Sequence, residues 1–214
     1  MSERTDALIS SLAFDLRPVR RLHTPPMRAA AWCAAVLGLG FIMTPLANVA
    51  AMTLRLSEAP DLRWAMFGGV VTAWCAAVAA FEMSVPGRSR FWALLPVPGA
   101  LLWLGASGVG CLRNWVVPGV LPATLHDAMT CITFITLVSV PLSALLVWML
   151  LRACPLWPAG ITAMGGLAAA AAAASLLTLF HPHDASAVDL LMHVVAVLVV
   201  IGGTRWAGMR AARR

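Results

Sequence analysis

Charge is scarce in this sequence: 11% of its 214 residues are Asp, Glu, Lys or Arg, against roughly 25% in soluble domains. With 61% hydrophobic residues and a mean hydropathy of +0.86, that scarcity excludes an ordinary water-soluble domain. Lysine is absent, so the 15 basic residues are all arginine, and they exceed the nine acids by six. No arginine cluster lies on a soluble face of the kind a nucleic-acid groove needs, so nucleic acid is set aside as a partner. No two cysteines form C-x-x-C, which argues against a dithiol oxidoreductase. No inverted repeat of the kind that marks many transporters is visible either.

What is present is a series of long apolar runs. A hydrocarbon core of about 30 Å needs roughly 20 helical residues, and six runs qualify, near Ala29 to Leu54, Trp64 to Val85, Phe91 to Leu112, Ala128 to Leu151, Trp157 to Phe180 and Ala187 to Gly203. The expected fold is therefore all-α: a polytopic membrane protein, a bundle of six transmembrane helices preceded by a short cytoplasmic amphipathic helix. Residues 1–28 form a cytoplasmic N-terminal segment, 29–203 the six-helix domain and 204–214 a basic cytoplasmic tail. The first apolar run starts late and is followed by more, so no cleavable signal peptide is expected. Pro45 and Pro141 lie inside the first and fourth spans and predict kinks. Gly105 with Gly108, Gly165 with Gly166, and the run Ala168 to Ala174 predict close helix packing.

Arginine placement sets orientation, because Lys and Arg in short flanking loops stay in the cytoplasm. With the N-terminus inside, Arg4, Arg17, Arg20, Arg21, Arg28, Arg88, Arg90, Arg152, Arg205, Arg210, Arg213 and Arg214 are cytoplasmic, 12 of the 15. Both termini are then expected on the cytoplasmic side of the membrane.

Ahead of the first span, Leu8, Ile9, Leu12, Leu16 and Val19 recur at three- and four-residue steps, the stripe of an amphipathic helix. Thr5 suits an N-cap, Asp6 suits the first turn, and Pro18 stops the helix. So short a helix is marginal alone in water. Two surfaces would support it: lipid headgroups, favoured by Arg17, Arg20 and Arg21 and opposed by Glu3, Asp6 and Asp15, or a groove on a partner protein.

The remaining chemistry-bearing residues gather at the opposite, outer side. Cys111 ends the third run and Cys131 opens the fourth, flanking one loop, so in an oxidising compartment they are a candidate disulfide. His126, His181, His183 and Asp184 are a possible metal or proton site, with imidazole and carboxylate as ligands. Glu82, close to the cytoplasmic turn, and Asp189, close to the outer one, are intramembrane acids near span ends, and with His193 they would serve a rival reading as a small transporter or ion permease. No catalytic constellation and no cofactor site is expected.

Four stretches carry a family resemblance: "LAFDLRPVRRL", "FEMSVPGRSRFWALLP", "GCLRNW" and "LFHPHDAS". In that order they resemble the NrsF family, negative regulators of sigma factor F, which are six-span bacterial inner-membrane anti-sigma factors. The resemblance implies that the N-terminal segment, through Leu8, Ile9, Leu12, Asp15, Leu16, Arg17, Val19 and Arg20, binds an extracytoplasmic-function sigma factor and holds it from RNA polymerase. It also implies release under stress, with a cysteine pair sensing it, carried here by compartment onto Cys111 and Cys131. Membrane lipid is the other expected partner.

Overall fold

The computed structural model describes residues 2–14, 22–116, 125–153, 155–180 and 187–213. Among them there is no strand. In chain order the helices are α1 (Ser2–Phe14), α2 (Pro25–Met43), α3 (Val49–Glu58), α4 (Pro60–Met83), α5 (Val97–Val116), α6 (Leu125–Leu151), α7 (Pro158–Leu177) and α8 (Ala187–Ala211), with 3₁₀ turns at Thr44–Leu46 and Arg90–Leu94. Six of the described helical segments are long and apolar enough to cross a membrane, which makes this a membrane protein of the expected all-α class.

Proline starts helices here. Pro25, Pro60 and Pro158 occupy the first turns of α2, α4 and α7, where the missing N–H has no intrahelical role. The first apolar run is split where a single span from Ala29 to Leu54 was expected. Pro45 falls in the 3₁₀ turn after Met43, and the Asn48 side chain accepts from Ala51 N at 3.0 Å to cap the separate helix α3. By contrast α6 runs unbroken through Pro141. At the chain's end α8 continues to Ala211, into the residues set apart as a basic tail, and Thr204 is buried there against α7.

The core is built on α7, whose residues Ala168 to Ala174 are nearly inaccessible and which packs against α4, α6 and α8. Small side chains let backbones meet. A Cβ on Gly166 would come 2.8 Å from Ile201 Cα, and one on Gly68 would come 2.6 Å from Trp103 N, so neither position admits alanine without moving a helix. Gly105 and Gly108 differ from the expectation: nothing lies within 4 Å of a Cβ at either. Buried hydroxyls are satisfied within or between helices, as Thr72 does by donating to Gly68 O at 2.7 Å and Thr204 by donating to Ser143 Oγ at 3.2 Å. Leu37, Phe41, Trp74 and Leu101 stay exposed on the perimeter, as a surface solvated by acyl chains requires.

Arg28 near the start of α2 reaches Ser84 after α4 and Met149 in the last turn of α6, so the start of α2, the end toward the α1 arm, lies beside the ends of α4 and α6. This arm end carries Arg152 over Trp148 at 3.8 Å, Arg210 over Trp206 at 4.0 Å and Arg90 over Trp157 at 4.9 Å. Such pairs suit the boundary between lipid and water, since both partners have an apolar body and a polar tip. The other end, where α3 lies, is the far end.

Candidate functional site

Helix α1 begins at Ser2, one turn earlier than a Thr5 cap predicts, so Thr5 lies inside it. That start places Asp6 just past the first turn, where a Thr5 cap would have put it inside. Leu8, Ile9 and Leu12 share a face and are 59%, 58% and 62% exposed, and Phe14 is exposed as well. The bundle does not cover this stripe. Burying one leucine of this kind is worth about 1.5–3 kcal/mol, stabilisation that the uncovered stripe does not draw from the bundle. Asp15, Leu16, Arg17, Val19 and Arg20 lie outside the described residues.

The chain enters the bundle at a polar knot that the sequence did not announce. Arg28, in the first turns of α2, is only 7% exposed. Its Nη1 donates to Ser84 Oγ at 3.4 Å, its Nη2 donates to the Met149 carbonyl, and its guanidinium carbon stands 4.7 Å from the Phe81 ring centroid. Ser84 in turn donates to Phe81 O at 2.7 Å. One turn further on, buried Trp32 donates from Nε1 to Leu142 O at 3.1 Å. Arg28 thus fastens the base of the arm to the last turns of α4 and α6. The only trace in the sequence is a cation three residues inside a proline-started apolar run, "PPMRAAAW".

Glu82 belongs to the same end. It is buried, and its Oε2 lies 3.3 Å from Arg88 Nε. That oxygen accepts no aligned hydrogen bond, so the contact is one of charge and distance rather than direction. The acid closes the turn after α4, near a span end as expected.

At the far end Cys131 is 1% exposed, packed with Ile135, Ala173, Ala174, Leu177 and Ala196. Cys111 is half-buried on α5, and both are thiols rather than halves of a disulfide. Their helices do not form the packed hairpin that adjacency in sequence implies: α5 lies mainly on α4, and α6 on α7 and α8. His181, His183 and Asp184, with the side chains of His126 and Asp189, lie outside the described residues. Among the described residues no three His, Cys, Asp or Glu side chains gather to hold a metal ion. His193 is half-buried on α8, beside a cavity.

No curated protein and no solved structure matches the chain. Residues 12–213, from the end of α1 through all six long apolar helices, match the family described as "Negative regulator of sigma F", and the chain therefore belongs to the NrsF family.

Proposed function

We propose that this protein is an anti-sigma factor that tethers an extracytoplasmic-function sigma factor to the bacterial inner membrane through its N-terminal segment and releases it on stress. Family membership supports a negative regulator of a sigma factor. The observation that carries the rest is the exposed stripe of Leu8, Ile9 and Leu12 on a helix standing outside a bundle of lipid-adapted helices. An amphipathic helix with its apolar face uncovered suits the groove of a partner. The arginine distribution supports a cytoplasmic arm, on the side where transcription occurs.

In this reading the residues from Leu8 to Arg20 form the docking segment, and Arg28 is the joint through which the bundle acts on it. Release requires a signal that favours one of two arrangements by a differential free energy. The ends of α4 and α6 held by Arg28 are the elements whose shift would reach the arm. Cys111 and Cys131 are the proposed sensing thiols at the periplasmic end.

The test uses cells carrying a reporter for the partner sigma factor. Full-length protein should repress it, and protein lacking residues 2–14 should fail to repress while reaching the membrane at the same level. Equal repression by the two would refute the docking role. If α1 only lies on lipid, its removal lowers liposome association of the arm and leaves the reporter unchanged.

A further inference from the structure

The ends of α6 and α8 carry the same pair at the same spacing, Trp148 with Arg152 and Trp206 with Arg210. Residues four apart share a helix face, and in each pair the guanidinium carbon stands over the indole, at 3.8 Å and 4.0 Å. Both tryptophans face outward, 54% and 55% exposed, and both arginines are exposed. A third pair is built from two separate turns, Arg90 over Trp157 at 4.9 Å. All three lie at the arm end. Thr204 donates to Ser143 Oγ at 3.2 Å, and α6 and α8 each carry their pair beyond that contact. A Cβ on Gly208 would meet Thr162 near the start of α7, which Trp157 precedes.

These pairs sit where the apolar segments stop. Arg152 directly follows the segment Met129–Leu151, Arg210 lies in the last turn of Leu190–Ala211, and Arg90 opens Arg90–Leu112. That is the depth at which lipid phosphates meet acyl chains. Charge there is one-sided. Arg205 and Arg213 are exposed at the same end, whereas Glu82, the one acid at this end among the described residues of the bundle, is buried against Arg88. No side chain of Arg90, Arg152 or Arg210 makes a hydrogen bond or ion pair with a described residue. Contact through the ring face holds a guanidinium in place and leaves its N–H donors unused. That fork suits a phosphate, which it can meet with two bonds at once.

We infer that the arm end of the bundle holds anionic phospholipid, with Arg152 seated on Trp148 and Arg210 seated on Trp206 as two headgroup sites and Arg90 on Trp157 as a third. An ethanolamine head brings an ammonium that meets arginine here and no available carboxylate, so like-charge repulsion selects against it. The exposed indole beside each arginine gives the site an apolar wall, which suits the upper part of a lipid better than an acidic protein surface. The inference stands apart from the sigma-factor reading.

The experiment is native mass spectrometry of the full-length protein in a non-ionic detergent, given equimolar phosphatidylglycerol and phosphatidylethanolamine of matched chains. Phosphatidylglycerol should be retained about fivefold in excess, and Arg152→Gln with Arg210→Gln should bring the two lipids to within about twofold. Trp148→Leu with Trp206→Leu keeps every charge and should still cut phosphatidylglycerol retention about threefold. These side chains are exposed, and size exclusion with the thermal midpoint checks folding. Equal retention of the two lipids by unaltered protein, or an unchanged ratio in the arginine variant, would overturn the assignment. Unchanged retention in the tryptophan variant would overturn the seated sites by showing that diffuse charge suffices. Displacement of phosphatidylglycerol by inorganic phosphate in large excess would overturn the lipid part, since the anion alone is then recognised. If the arginines instead meet an acidic protein, the arginine variant weakens sigma-factor binding in detergent and leaves the lipid ratio as it was, which also overturns the assignment.

Discussion

The guanidinium of Arg28 stands 4.7 Å above the ring of Phe81, a cation on α2 seated over an aromatic of α4 in a region almost closed to solvent. Arg28→Ala removes that contact together with the hydrogen bonds accepted by the Met149 carbonyl and by the Ser84 hydroxyl, which keeps its own bond to Phe81 O. A loss of about 2–3 kcal/mol is expected, measured by unfolding in mixed micelles. Arg28→Lys should recover only part, because an ammonium lacks the planar fork that reaches two acceptors at once. If Arg28 also joins bundle to arm, Arg28→Ala weakens repression with α1 intact.

Leu12→Asp should separate docking from folding. The side chain is 62% exposed, so the bundle's thermal midpoint should not move. Affinity of the full-length protein for its sigma factor should fall by about 2 kcal/mol or more, roughly thirtyfold, while Leu12→Met keeps most of it. An unchanged dissociation constant for Leu12→Asp would show that this stripe is not the docking face.

Helix contact should be sensitive at Gly166 and tolerant at Gly105. Valine at 166 drives a branched side chain into the backbone of α8 at Ile201, and overpacking of this kind costs about 1–3 kcal/mol. Alanine at 105 meets open space and should leave the unfolding midpoint in detergent unchanged. Destabilisation of similar size at both sites would contradict the packing described.

The two far-end thiols should differ in reactivity. With Cys33, Cys75 and Cys154 replaced by alanine, a maleimide should label half-buried Cys111 at least about tenfold faster than Cys131, which reacts only when the bundle opens. Similar rates would mean that Cys131 is accessible in the folded state. Replacing both by serine tests the sensing role separately: normal stress induction of the sigma regulon in that variant would remove it.

How much of this was readable from residues alone depends on the range of the physics. The six apolar runs and the stripe at Leu8, Ile9 and Leu12 follow from length, hydropathy and period, and all are helical, the first run in two pieces. The boundary errors fall where a local signal competed with composition. Hydropathy alone joins Ala29 to Leu54, yet Pro45 and the Asn48 cap divide that stretch. Composition also treats all glycines alike, whereas Gly166 touches α8 and Gly105 faces open space. Adjacency in sequence made a hairpin of the helices bearing Cys111 and Cys131, and packing placed them against different neighbours.

The sequence by itself determined that the chain crosses a bilayer several times and carries an amphipathic arm before the first crossing. The cause is local: a backbone in hydrocarbon must satisfy its own hydrogen bonds, so a long apolar run has little choice but helix. Only the tertiary structure decided that Arg28 is buried between Phe81, Ser84 and Met149, that Asp61 lines one cavity with Arg55 and His193, and that the arm's stripe is left uncovered. Those outcomes depend on which faces meet among helices that lipid solvates almost equally well on every side. That choice rests on close packing and a few directed polar contacts between residues distant in the chain.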